Sequence, residues 1–175
     1  VLTKSLGTGV LFNAGRSGRL PYRELEVILP RVAALNGQAM EVALNFEIHA
    51  CTDITGFGIL GHSLEMAKGS GLQIDLLFDR LPIYPNALEM YQKGESTGSN
   101  KANRRLAQGS WDATASLTAA EEDLLFDPQT SGGLLLAVSA DKCDDLLSGL
   151  KAAGIEAAVH VGDVGEAQRP FVRVV

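Results

Sequence analysis

An α+β fold, with a mixed β-sheet packed against helices in layers, is predicted for this chain by three observations. Apolar residues switch between helical and strand spacing in the rough order β-α-β-α-β-α-loop-α-β-α-β-β. The strand-like stretches are short and unevenly spaced, which argues against a doubly wound parallel sheet. At 175 residues and 46% hydrophobic composition, the chain has apolar material for one sizeable core or two small ones. Residues 1–175 are read as a single domain.

The elements follow in order. Val1–Phe12 is apolar with Gly7 and Gly9 inside it and reads as a strand passing close to another backbone. Tyr22–Leu44 has helical periodicity, interrupted by Pro30 and Gly37, so a boundary is expected near Leu29 and the helix proper after Pro30. Phe46–Cys51 is a short strand. Leu60, Leu64 and Ala67 then mark a helix that Gly69 and Gly71 end. Leu72–Phe78 alternates as a half-buried strand, and Pro85–Lys93 reads as a short helix stopped by Gly94. Residues 94–111 have almost no apolar periodicity and read as a long polar loop. Thr118 and Glu121 have capping-box spacing and open a helix through Phe126. Leu134–Val138 is a strand, and Asp141 is expected to cap a helix carrying Leu146, Leu147, Leu150 and Ala153 up to Gly154. Ile155–Val161 and Phe171–Val175 supply the last two strands.

The stretch from Ala50 to His62, ACTDITGFGILGH, carries the chemistry most worth explaining. It contains G-x-G-x-x-G between a strand and a helix, and Asp75 follows 19 residues after Gly56, as in a dinucleotide-binding turn. Asp53, flanked by Thr52 and Thr55, puts a negative charge where a pyrophosphate would lie. Asp75 also falls in mid-strand rather than at the strand end. No Gly-Lys-Ser/Thr is present for a P-loop. Mg²⁺ removes the objection to Asp53, because it binds one or two protein carboxylates and fills its shell with water and phosphate oxygens. His49, Cys51 and Asp53 alternate onto one strand face, but no further Cys or His stands nearby at ligand spacing. Two roles fit the turn equally from residue chemistry alone: a metal–phosphate site, and a strand-to-helix turn with Thr55 as N-cap and Asp53 solvated.

A second phrase, DPQTSGGLLLAV, repeats the pattern of polar loop, paired glycines and apolar run. Thr130 and Ser131 offer donors to an oxyanion, and Gly132 and Gly133 allow close backbone approach. A turn at Asp127-Pro128 with the glycines as strand entry fits as well. The candidate nucleotide contacts are therefore Thr52, Thr55, Gly56 and Gly58 in the first turn and Thr130, Ser131, Gly132 and Gly133 in the second. Asp53 is the candidate metal ligand. Lys101, Arg104 and Arg105 form a local cation cluster. Cys51 and Cys143 are poor nucleophiles, since neighbouring carboxylates keep a thiol protonated. His62 reads as a helix-surface residue and His160 as structural.

Composition narrows the classes further. A net charge of −6 and a pI near 5.0 argue against a nucleic-acid surface. No apolar run approaches the ~18 residues of a membrane span. Two cysteines make no disulfide framework, and a reduced, cytoplasmic setting is expected. The first residues already read as a strand and lack Met, as expected for a piece of a longer protein.

LTKSLGTGVL, ACTDITGFGILGHSLEMAKGSGL, LPIYPNALEM, TGSNKANR and DPQTSGGLLLAV together resemble the carboxyl-terminal half of selenophosphate synthetase (selenide, water dikinase). The resemblance runs from Leu2 to Val138. It implies the carboxyl-terminal fold of the aminoimidazole ribonucleotide synthetase type, and an ATP- and Mg²⁺-dependent enzyme that makes selenophosphate from selenide and releases AMP and phosphate. It also implies an amino-terminal partner domain in the same chain, a homodimer, and Asp53 as the metal-binding aspartate of this half. The catalytic Cys or selenocysteine and its lysine would belong to the other half, so no catalytic residue is assigned here. Lys4 matches a family position but not that lysine. Pro30 and Ser5 depart from the family pattern. A stand-alone nucleotide- or dinucleotide-binding module without catalysis is the alternative.

Overall fold

The computed structural model describes residues 1–175. Nine helices are α1 (Thr8–Arg16), α2 (Tyr22–Glu26), α3 (Leu29–Ala33), α4 (Gly37–Ala43), α5 (Gly58–Ser70), α6 (Ala87–Gln92), α7 (Asn100–Ala107), α8 (Ala119–Leu125) and α9 (Cys143–Ala152). Six strands are β1 (Ile48–Asp53), β2 (Gln73–Leu76), β3 (Trp111–Ala113), β4 (Leu134–Val138), β5 (Gly162–Gly165) and β6 (Val172–Val174). The α+β class holds, but the strands form two sheets. β1 and β4 make an antiparallel pair, and the other four lie in the order β3-β6-β2-β5. Within the larger sheet β6 runs parallel to both β2 and β3, while β5 is antiparallel to β2.

β4 shows why the sheets need helices on both faces. Leu135 belongs to the main apolar cluster, whereas Leu134 and Leu136 belong to a second cluster with Ala39 and Ala43 of α4 and Leu146 and Leu150 of α9. Successive side chains of a strand point to opposite faces, so a continuous LLL run is what a strand buried on both sides requires. α5, entered at the end of β1, packs Ile59, Leu60, Leu64 and Ala67 into the main cluster and stops at Gly71 in the left-handed conformation, φ 66°.

Several expectations are corrected. Val1–Phe12 is not one strand: residues up to Leu6 are extended and make isolated bridges, and helix α1 begins at Thr8. Short apolar runs do not separate helix from strand by periodicity, and Val10, Leu11 and Ala14 turn out to share a buried helical face. The segment 22–44 breaks into three helices, with Pro30 in the first turn of α3 and Gly37 opening α4. Residues 94–111 contain α7 and lead into β3. The buried face of α7 is Asn100, Asn103 and Ala107, so no apolar repeat announced it. Ile155–Val161 is not a strand. Val159 instead exchanges two backbone hydrogen bonds with Leu2, 2.9 and 3.0 Å. Asp141 makes no capping bond and lies in a 3₁₀ turn, Ala140–Lys142, ahead of α9. The capping box of α8 forms as expected, with Thr118 and Glu121 each bonding the other's backbone.

Candidate functional site

Asp53 is the last residue of β1 and is exposed. Its strand partner is Leu134, so the Asp53 turn and the TSGG loop, 78 positions apart in sequence, leave the same pair of strands side by side. Backbone bonds fasten them together: Ile54 N–H donates to Gly133 O (2.8 Å) and Gln129 N–H to Thr55 O (2.9 Å). Asp53, Gly56, Thr130 and Ser131 are exposed along this rim, while Thr52 and Thr55 are half-buried. The structure thus gathers the sequence candidates at one place.

Side chains then brace the turn. Asn103 of α7 donates through Nδ2 to Gly56 O (2.8 Å) and Phe126 O (3.0 Å). His62 is buried rather than on the helix surface. Its Nδ1 lies 2.9 Å from Glu65 and its Nε2 3.2 Å from the Thr55 hydroxyl. A carboxylate only accepts, so Nδ1 carries the hydrogen; in the neutral ring Thr55 then donates to Nε2. Thr55 is therefore not an N-cap: the cap position of α5 is Phe57, without a side-chain bond.

The glycines have unequal roles. Gly58 has φ +72° and a Cβ there would meet Leu125 O at 2.8 Å, so this glycine lets the turn lie against the end of α8. Gly132 presses on β1's exit, where a Cβ would sit 1.9 Å from Ile54 O. Gly56 has open space around it. Gly133 is buried beside the Lys4 backbone. The three buried glycines, Gly58, Gly132 and Gly133, join protein to protein, and the exposed polar edge belongs to Asp53, Gly56, Thr130 and Ser131.

The dinucleotide alternative loses its structural basis. β1 and β2 belong to different sheets, so no βαβ unit surrounds the G-x-G-x-x-G, and Asp75 is held in a two-bonded pair by Arg173. His49 of the softer metal set is bonded to Ser139 at 3.0 Å, and no three His, Cys, Asp or Glu side chains converge as a metal cluster. The Cys51 thiol is pushed up by desolvation and by Asp53, and that of Cys143 by desolvation and Asp144, so neither is an activated nucleophile. Of the three cations near the turn, Arg104 pairs with Glu122 and Asp123 and lies over the Phe126 ring. Lys101 and Arg105 are exposed.

Residues behind the rim went unnoticed in the sequence. Asp127 is fully buried and accepts from Gly9 N–H (3.0 Å), Val10 N–H (2.8 Å), Tyr91 Oη (2.6 Å) and Gln129 Nε2 (2.9 Å). Gln129 Oε1 accepts from Gly7 N–H, Thr8 N–H and Thr8 Oγ1 at 3.0–3.2 Å. Together they cap α1 from 120 residues away, meeting N–H groups that a helix start leaves unpaired. Burial pushes the Asp127 carboxyl up to about 6, against the downward pull of its four donors.

A layered α+β domain with its polar rim where one strand of an antiparallel pair ends and the other begins is an AIR synthase-like fold. E. coli HypE, a hydrogenase maturation protein, superposes with a TM-score of 0.64 at 17% identity over 99% of this chain and 44% of its own. Thiamine-monophosphate kinase from Stenotrophomonas maltophilia K279a gives 0.61 at 20% identity, over 97% and 47%. The pattern of the family described as AIR synthase related protein, C-terminal domain, matches residues 3–175, and the chain belongs to that family. Among curated relatives it is similar to the selenide, water dikinase of Pelobacter propionicus, 43% identical over all 175 residues and half of that protein. It is also similar to that of Treponema denticola, 39% identical over 87% of this chain and 43% of the relative. The chain spans about half the length of the curated relatives it matches.

Proposed function

We propose that this chain is a single domain, residues 1–175, forming the ATP- and metal-contributing carboxyl-terminal half of a selenide, water dikinase. Such an enzyme makes selenophosphate from selenide, ATP and water and releases AMP and phosphate. The observation that carries this is the 43% identity to a selenide, water dikinase along the whole of this chain. The rim fits the same role. Asp53 offers a hard oxygen ligand at an exposed strand end, suited to Mg²⁺, and Thr130 and Ser131 are exposed on the loop that enters the partner strand β4. Bound Mg²⁺ would neutralise phosphate charge as a Lewis acid. Thr52, Thr55, Gly56 and Gly58 would shape the turn, with Gly132 and Gly133 fixing the loop that carries the hydroxyls. The remaining catalytic groups would come from an amino-terminal domain, in a cytoplasmic homodimer.

The test is Asp53→Ala in the full-length enzyme. ATP turnover is expected to fall by about 100-fold or more, while the melting temperature stays within a few degrees, since an exposed side chain contributes little to packing. Unchanged turnover at saturating Mg²⁺ would remove Asp53 from the site.

A further inference from the structure

A cavity of about 180 Å³ lies where residues 3–5, the segment 31–39, Tyr84 and residues 154–157 meet. Its wall includes Lys4, Arg31, Asn36, Gln38, Tyr84 and Glu156. Lys4 is 9% exposed, and its ammonium donates to Ala34 O and Ser131 O, both at 2.7 Å. Those carbonyls use two of its three hydrogens and bring no negative charge. Burial alone acts on its pKa, downward, with no carboxylate opposing it. The ammonium is partly buried and has no counter-ion, whereas charges withdrawn from water are normally paired.

The neighbouring groups point the same way. Arg31 takes part in none of the ion pairs of the chain, yet its charge reaches the phenol of Tyr84, which is otherwise pushed up by burial. Asn36 gives its Nδ2 hydrogen to Gly132 O (2.9 Å), leaving Oδ1 buried with no partner. That oxygen only accepts, so it would meet an oxyanion through a protonated oxygen such as the P–OH of hydrogen phosphate. Glu156 is at the exposed rim and does not act on Lys4. Two cations and a phenol thus line a space well below the ~300 Å³ of sites for larger ligands.

We propose that this cavity binds a small oxyanion of the orthophosphate class, held by Lys4, Arg31 and Tyr84. The site is separate from the Asp53 rim but touches it through the loop. Lys4 and Asn36 hold the carbonyls of Ser131 and Gly132, and Gly132 lies against Ile54. An anion drawing on Lys4 would therefore be felt in the position of Ser131.

The probe is inorganic phosphate, titrated into the chain without divalent cation and followed by calorimetry and by amide NMR shifts. Saturable binding is expected, with shifts at Ser131 and Asn36. Arg31→Gln, an exposed site that leaves the fold intact, should weaken it about fivefold or more, and Lys4→Met should abolish it. Asp53→Asn should leave the affinity unchanged, which separates this pocket from the rim and from the enzymatic role proposed above. No saturable binding up to tens of millimolar, equal affinity in Arg31→Gln, or loss in Asp53→Asn would each overturn the proposal.

Discussion

Asp127 is where a single side chain holds most structure. It sits fully buried among two backbone N–H groups of α1, the Tyr91 hydroxyl and the Gln129 amide. Because its carboxyl is raised to about 6 from the ordinary 3.8, the folded chain keeps a proton that the unfolded chain releases between those values. Its contribution to stability is thus fully present below about pH 4 and is lost as pH rises to about 6, amounting to about 3 kcal/mol. Chemical denaturation of the parent and of Asp127→Asn across pH 4–7 should show that difference in slope. The variant should be less stable by about 1–3 kcal/mol at pH 4, since an amide hydrogen would face a donor, and the gap should close as the pH rises through about 6. A parallel pair of curves would mean that Asp127 does not titrate in this range. The sequence exposed Asp53 as a charge out of place, but not Asp127. An aspartate before proline has the chemistry of a surface turn, and only its partners 118 residues away make it a cap.

Among the elements, legibility followed the source of the hydrogen bonds. α8 was readable because Thr118 and Glu121 satisfy its first turn locally, and α5 because its apolar face repeats at 3.6 residues. α7 was invisible, for its inward side chains are two asparagines and an alanine. What fixes it is Asn103, bonded to Gly56 O and Phe126 O. Removing that amide leaves two carbonyls short of a donor. Asn103→Ala should destabilise the chain by about 2 kcal/mol, and hydrogen exchange should quicken first in α7 and the turn at Gly56. Protection unchanged in α7 would show that the helix is held by other contacts. The same helix explains why residues 94–111 read as a long polar loop: the polarity is real, but Glu95, Asn100 and Asn103 face inward.

For the molecule as a whole, the sequence disclosed the class and several central elements, but not helices α1 and α7 or the division into two sheets. Strand pairing is decided by residues far apart, and β1 finds β4 rather than its neighbour β2. The first residues of the chain then lie across the seam. Leu2, with 0% exposure, bridges both Leu135 and Val159. Leu2→Ala should therefore cost about 2–5 kcal/mol, as for other buried leucines, and urea unfolding should remain one transition. Two separated transitions would show that the apolar clusters melt independently. A further consequence concerns time. The chain emerges from synthesis with Thr8 early and Gln129 late, yet α1 is capped only when they meet, and the Asp53 turn is fastened only after Gly133 exists. Closing contacts across many tens of residues is slow, so the rim should be among the last parts to mature, with amide protection at Ile54 lagging behind helix formation during refolding.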